Sequence, residues 1–207
     1  MNFDEYEKTH YFTYGEFAKT VRFIFEKALE TATSLPIAQS IQCRAKQPAS
    51  LRARLAEAGK LDSQTLEHDR CDLAGARLIF YTNNDVEKFL GSRLVYDNFE
   101  VEPDSTKIHH PTEENAGVRY RAHHYTVRLR ADRTALPEYA KFAGLRCEIQ
   151  IQTILNHAWS ETSHDILYKE KPADGFGSKA MRGIAKRFQT VMDKYLLPAG
   201  YEIQKAQ

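Results

Sequence analysis

The chain of 207 residues is 42% hydrophobic, enough to bury one sizeable core, and its 29 Lys or Arg against 28 Asp or Glu leave a formal net charge of +1, which gives no overall drive toward nucleic acid. No membrane-spanning run is present and the opening MNFDEYEKTH lacks the apolar stretch of a secretory signal, so a cytoplasmic location is expected. Cys43, Cys71 and Cys147 are odd in number, far apart and outside any CxxC spacing, which argues against a disulfide framework or zinc site and for small core residues.

In chain order, the spacing of Phe17, Val21, Ile24, Phe25 and Leu29 predicts an aromatic-rich amphipathic helix over Phe12 to Ala32. Past Pro36 the sequence predicts an extended piece ending at Gln47, before Pro48, then a helix from Ser50 to Ala58 stopped by Gly59. Arg44 and Lys46 share one face of the extended piece, and Arg54, one turn into the helix, can reach the same place. Ala76 to Tyr81 reads as a buried strand, with Asp72 just ahead of it in a polar turn containing Gly75, and a helix follows from Asn83 through Leu90. Phe99 to Glu102 predicts a short strand, and Pro103 to Ala116 a polar loop without periodicity. Tyr125, Val127 and Leu129 alternate with Thr126, Arg128 and Arg130 as a further strand, with Tyr120, Arg121, His123 and His124 at its mouth.

Arg146 to Gln152 alternates with Cys147, Ile149 and Ile151, the pattern of a strand buried on one face, so Glu148, Gln150 and Gln152 share the other. At Thr153, an N-cap residue type, the period turns helical through Ile154, Leu155, Ala158, Trp159 and Thr162. His157 and His164 sit two turns apart on this helix without a third ligand nearby, and read as packing groups more than a metal site. After a Pro- and Gly-containing break, Ala180 to Leu197 predicts another helix, and the last ten residues carry no signal. Strands separated by helices describe an α/β domain with a mixed sheet.

The charge is unevenly placed. Arg44, Lys46, Arg52 and Arg54 stand between Ile41 and Leu55 without an acid, and Lys169 to Lys194 holds seven bases against three acids. Two basic zones in a balanced chain suggest an anionic ligand. Two isolated acids complement them, Asp72 beside a strand start and Glu148 in mid-strand. If those strands are neighbours, the carboxylates converge, and two hard oxygen ligands with open positions suit Mg²⁺ bound together with a nucleotide's phosphates. Arg44, Lys46 and Arg54 then supply positive charge for a polyphosphate, and Glu148 can also serve as base for an attacking hydroxyl. Each piece has a plainer alternative: Asp72 closing a turn, Arg44 and Lys46 on a solvated edge, Tyr120 resting on the core. No GxxxxGK[ST] or GxGxxG loop is present, so phosphate binding falls to side chains.

DLAGARLIF, YRAHHYTV and EIQIQTILNHAWSETSHDILYK, in that order, resemble the synthetase domain of the RelA/SpoT family, whose members move a pyrophosphate group from ATP to a nucleotide 3′-hydroxyl. The resemblance runs from about Ile41 to Lys169 and implies a nucleotidyltransferase-like fold, a mixed sheet of about five strands flanked by helices. It implies that Asp72 and Glu148 hold Mg²⁺, with Glu148 also acting on the acceptor hydroxyl. Arg44 and Arg77 match the pair that sandwiches the adenine of ATP, and Lys46 and Arg54 the bases that hold its phosphates. Tyr120 matches the tyrosine on which the acceptor base stacks, and with Arg121, His124 and Gln150 it is implied to form the acceptor side. No HD hydrolase motif is present, which implies synthesis without degradation.

The departures fall on the acceptor side: Arg119 precedes Tyr120 where glycine is usual, Ala122 replaces a serine, and Gln152 stands where arginine is common. YRAHHYTV, LPEYAKFAGLRCEIQIQT and ILNHAWSETSHDILYK look closer to the toxic small synthetases of toxin–antitoxin and phage-defence systems, particularly the capsid-sensing fused members, which modify the 3′-terminal adenosine of tRNA. That resemblance implies tRNA as acceptor, with GDP or GTP as the rival, and an antitoxin or C-terminal neutralising segment as partner. A degenerate fold that only binds nucleotide is the non-enzymatic alternative. The expected organisation is an N-terminal helical segment over 1–40, the synthetase core over 41–169, and a basic helix and tail over 170–207 that can lead into a regulatory segment.

Overall fold

The computed structural model describes residues 1–109, 121–168 and 179–207. The chain opens with α1 (Phe3–Glu5), started by a capping box in which Asn2 and Glu5 satisfy each other's backbone N–H groups. It continues through one wide turn (Tyr6–His10) into α2 (Tyr11–Thr31), so the predicted helix begins earlier than its apolar spacing indicates. Strand β1 (Ser40–Ala45) and α3 (Pro48–Glu57) follow, the latter ended by Gly59 at φ +64°, a backbone that glycine adopts without a Cβ penalty.

Next come α4 (Leu66–Asp69), β2 (Ala74–Phe80) and α5 (Asn83–Gly91), the last opened by a second capping box between Thr82 and Asp85. Then α6 (Leu94–Asn98), β3 (Phe99–Val101), β4 (Lys107–His109), β5 (Ala122–Leu129) and α7 (Ala131–Thr134) lead to the central strand β6 (Cys147–Thr153) and α8 (Ile154–Tyr168). The chain ends in α9 (Lys179–Val191) and α10 (Leu197–Ala206), joined by a wide turn. Further differences from the sequence expectation are β4 in the polar stretch after Pro103, the short helices α4, α6 and α7, and α10, which makes the chain helical up to Ala206.

Among the described residues the sheet has six strands, in the order β1-β2-β6-β5-β3 with β4 also on β5. Pairing is antiparallel except between β2 and β6, which run parallel. This is the mixed α/β sheet flanked by helices that the motifs implied, with one strand more than the expected five or so.

Period-two alternation gives the sheet two unlike faces. Ala74, Ala76, Leu78, Cys147, Ile149 and Ile151 point into an apolar core covered by α2 and α5, where Phe25 stacks against Phe99 and Phe89 at centroid distances of 5.1 and 6.2 Å. Gly75, Arg77, Glu148 and Gln150 point to the opposite face, which α8 covers in part. Cys147 is buried in the core as expected, Cys43 and Cys71 are half-buried, and all three are free thiols. Among the described residues no helix is long and apolar enough to cross a membrane.

Candidate active site

Register builds the site. Arg44 on β1 lies opposite Gly75 on β2, Gly75 beside Glu148 on β6, and Glu148 opposite Thr126 on β5, forming one row across four strands. The next row runs Gln42, Arg77, Gln150, His124. With no side chain at Gly75, the space between Arg44 and Glu148 stays open. An open cavity of about 210 Å³ lies over these rows, lined among others by Arg44, Lys46, Asp72, Arg77, Glu148 and Gln150. Six of the ten residues singled out from sequence therefore meet at one place.

The other four are placed as follows. Arg54 is exposed on α3, paired with Glu57 at 3.6 Å, and does not line the cavity. His124 lies beside it on β5, with its Nδ1 at 3.6 Å from Glu148 Oε1. Arg121 precedes β5; its backbone N–H donates to Asn156 Oδ1 (3.2 Å) and its guanidinium stands 3.9 Å from Glu87. Tyr120 lies outside the described residues, as does the first part of the basic zone after Lys169.

Asp72 stands at the mouth of β2 between two cations. Lys46 Nζ donates to its Oδ2 at 2.7 Å, and Arg70 donates from Nε and Nη2 to its two oxygens, each at 3.1 Å. Burial works against ionisation of Asp72, but Lys46 and Arg70 outweigh it and hold the carboxyl below its usual range. Lys46 is itself fixed from behind, because its backbone N–H donates to the Leu73 carbonyl (2.9 Å) and its carbonyl accepts from the Tyr6 hydroxyl (2.6 Å).

Glu148 is held differently. Gln150 Nε2 donates to its Oε2 at 2.8 Å and His124 faces its other oxygen. Burial again raises its pKa, His124 and Gln150 lower it, the Asp72 charge raises it, and the net shift is downward, so Glu148 is ionised at neutral pH. Arg77 completes the row: its Nε donates to Gln150 Oε1 at 2.9 Å, and its Nη1 reaches Glu161 Oε1 at 2.9 Å and His157 Nδ1 at 3.2 Å on α8. The guanidinium and burial keep His157 below its usual range, burial being the larger cause.

Sequence reasoning missed Arg70 and Glu161. Both had a signal: Arg70 stands two residues before Asp72, and Glu161 one helical turn after His157, on the face that meets Arg77. Thr153 caps α8 as expected, its Oγ1 accepting from Asn156 N at 3.3 Å, and this turns the helix back over the cavity.

Comparison with known proteins follows the same lines. Residues 43–173 match the family described as the region found in RelA / SpoT proteins. A search of curated proteins finds no significant match. Among solved structures, the fold is similar to small alarmone synthetase 1 from Bacillus subtilis, with a TM-score of 0.75, 16% identity, and 98% of this chain and 96% of that one covered. The same protein bound to its product pppGpp gives a TM-score of 0.69 at 15% identity, covering 94% of each chain. Small alarmone synthetase 2 from Bacillus subtilis gives 0.68 at 20%, covering 98% of this chain and 100% of the other. Those identities speak to the fold alone, whereas the family match spans well over half of the sequence and holds both acids of the cavity. The chain belongs to the RelA/SpoT family and is a pyrophosphokinase of that type.

Proposed function

We propose that this enzyme takes the β,γ-pyrophosphate of ATP and places it on the 3′-hydroxyl of the terminal CCA adenosine of tRNA, stopping translation as the toxin of a toxin–antitoxin or phage-defence system in the cytoplasm. A neutralising partner or segment would keep it in check. Arg44 and Arg77 occupy diagonal positions of the β1–β2 pair. Diagonal neighbours lie about 7–8 Å apart, roughly twice a van der Waals contact of about 3.5–4 Å, which is room for one flat ring between two guanidinium planes. The hydrogen bonds of Arg77 run in the plane of its guanidinium, so they do not themselves take up the faces on which adenine would stack.

Lys46, at the cavity wall, serves the phosphates, and Arg54, exposed on α3 and paired with Glu57, would join it only by leaving that partner. Asp72 and Glu148 would hold Mg²⁺. The donor set fits that ion: two carboxylates line one cavity, and Mg²⁺ takes few protein ligands, filling its shell with water and phosphate oxygens. The charge of Asp72 works against ionisation of Glu148, a repulsion that a dication relieves. When bound, the ion neutralises charge on the phosphates.

In the reaction the acceptor 3′-oxygen bonds to the β-phosphorus, the bond from that phosphorus to the α,β-bridging oxygen breaks, and AMP leaves with that oxygen. Glu148, ionised, accepts the hydrogen bond of the attacking hydroxyl, orients it and takes its proton as the new O–P bond forms. A carboxylate of lowered pKa is a modest base, and loose phosphoryl-type transition states ask for little more. Tyr120 would stack the acceptor base, with Arg121, His124 and Gln150 around it.

The observation that favours tRNA is the pairing of the two acceptor-side departures. Ala122 and Gln152 are register partners on β5 and β6, both buried, so one patch of the acceptor side has lost a serine and an arginine together. A 3′-terminal adenosine brings only diester charge, whereas GDP and GTP bring a 5′-polyphosphate that calls for cations. The second reading, a guanine nucleotide as acceptor, is favoured by the similar fold that carries pppGpp as its product. Transfer of label from ATP carrying ³²P at its γ position, with bulk tRNA, GDP and GTP offered separately and Mg²⁺ present, decides. Label on the tRNA 3′ end is expected; label on guanine nucleotides alone makes this an alarmone synthetase, and none on any acceptor makes it a binding module.

A further inference from the structure

The side chains of one row form a continuous hydrogen-bonded train from the donor side of the cavity to its acceptor side. Glu161 Oε1 accepts from Arg77 Nη1 (2.9 Å), Arg77 Nε donates to Gln150 Oε1 (2.9 Å), and Gln150 Nε2 donates to Glu148 Oε2 (2.8 Å). His124 Nδ1 faces the remaining Glu148 oxygen at 3.6 Å. The order of donors and acceptors is enforced. A guanidinium has donors only, so Gln150 must turn its amide oxygen to Arg77; an ionised carboxylate has acceptors only, so the amide nitrogen must face Glu148. Flipping the amide would set donor against donor at one end and oxygen against oxygen at the other.

From this geometry we infer that Gln150 is a positioning residue for Glu148, and that Arg77, held by Glu161, sets Gln150. The inference rests on the reading that Glu148 meets the acceptor hydroxyl, and it gives Gln150 a task other than contact with the acceptor. The carboxylate is pinned by β6 on one side and β5 on the other, so its free lone pairs point into the cavity in one fixed direction. Arg77 belongs to the donor pocket by the same reading. A residue that touches ATP therefore sets the geometry of the acid that meets the acceptor, through one amide and no change of backbone.

Glu161 is half-exposed and so a weak hold, whereas Gln150 is the necessary link. Cutting the train at Gln150 should therefore do most of the damage, and a second cut behind it should do nothing further. An acceptor-contact residue does not behave this way, because its loss is felt in KM and adds to the loss of others.

The test is kcat at saturating ATP and acceptor for Gln150→Met, Glu161→Ala and the double variant, with bulk tRNA as acceptor, or GDP and GTP where those take the label. A misplaced reacting group costs on the order of 10²-fold, and a fall of that size in kcat is expected for Gln150→Met, with ATP affinity by calorimetry and the melting temperature unchanged. Glu161→Ala should lower kcat a few-fold alone and leave it unchanged in the Gln150→Met background. Gln150→Glu, which can accept from Arg77 but has no N–H for Glu148, should not rescue. Additive losses in the double variant, rescue by Gln150→Glu, or a Gln150→Met effect confined to acceptor KM would each overturn the inference. Glu148→Gln run in parallel separates the two failures: turnover retained there removes the role of Glu148 itself, and with it this inference, whereas loss there with additive losses elsewhere removes only the train.

Discussion

Asp72 and Glu148 share one cavity and are held by opposite means. Asp72 sits in a fork of Arg70 and against Lys46, so the protein supplies more positive charge than the acid needs. Glu148 has an amide and an imidazole, and its position depends on direction more than charge. The difference teaches that one acid is built to exchange partners and the other to stay still. On the proposed function, a dication or a phosphate entering the cavity would compete for the Asp72 cluster, whose ion pairs would re-form around it, while nothing about Glu148 would have to move.

The largest test of that contrast is loss of charge without loss of shape. Glu148→Gln should cut transfer by on the order of 10²–10⁴ while calorimetric ATP binding stays as it was. Asp72→Asn should abolish transfer as well, and in addition weaken the binding of ATP with Mg²⁺; turnover retained in that variant would remove Asp72 from the metal site.

Stability should separate the two acids next. Asp72→Asn leaves Lys46 and Arg70 facing each other across a neutral amide with all three side chains mostly buried, so the cost should exceed that of an exposed ion pair, at about 1–3 kcal/mol. Glu148→Gln, which can turn its own amide oxygen to Gln150 Nε2, should melt within a degree or two of the parent. A larger loss for Glu148→Gln than for Asp72→Asn would reverse the comparison.

The pH dependence follows with a definite sign. Both carboxyls have folded pKa values below their ordinary ones, so their contribution to stability is complete above about pH 4, the unfolded range, and is lost as pH falls through the lower folded values. Denaturant melts at pH 5 and pH 3 should show a smaller acid loss in Asp72→Asn than in the parent. The smallest effect concerns groups shifted mainly by burial. The Tyr14 hydroxyl is pushed up to about 12, with burial the largest cause, and Tyr6 is raised as well. Their stabilisation is full below about pH 10, the ordinary tyrosine value, and disappears as pH rises beyond it. Phenolate absorbance should show a late-titrating fraction that Tyr14→Phe reduces.

Much of this was legible in the sequence because period two is strict where a strand has one buried face. Cys147, Ile149 and Ile151 fixed the core side of β6, and that alone aimed Glu148 and Gln150 at a common space. What could not be read was who answers whom. Arg70 is one more exposed-looking base in DRCD, and Glu161 one acid on a mixed helix, until the packing of α8 and the turn before β2 bring them to Arg77 and Asp72. Arg54 shows the converse: its spacing from Arg44 suggested convergence, but the rotation of α3 turns it to solvent and to Glu57. The short strand β4 and the terminal helix carry too little apolar patterning for periodicity to find.

The parallel pairing of β2 with β6 also has a meaning for how the enzyme comes into being. Ala74 pairs with Cys147, so the pair closes a loop of about seventy residues, an entropic cost of about 4 kcal/mol apart from a constant. A ribosome making this chain has laid down Lys46, Asp72 and Arg77 long before Glu148 leaves the exit tunnel. Every shorter nascent chain has half a site and no reaction, so activity, whatever the acceptor, waits until β6 has emerged and paired with β2.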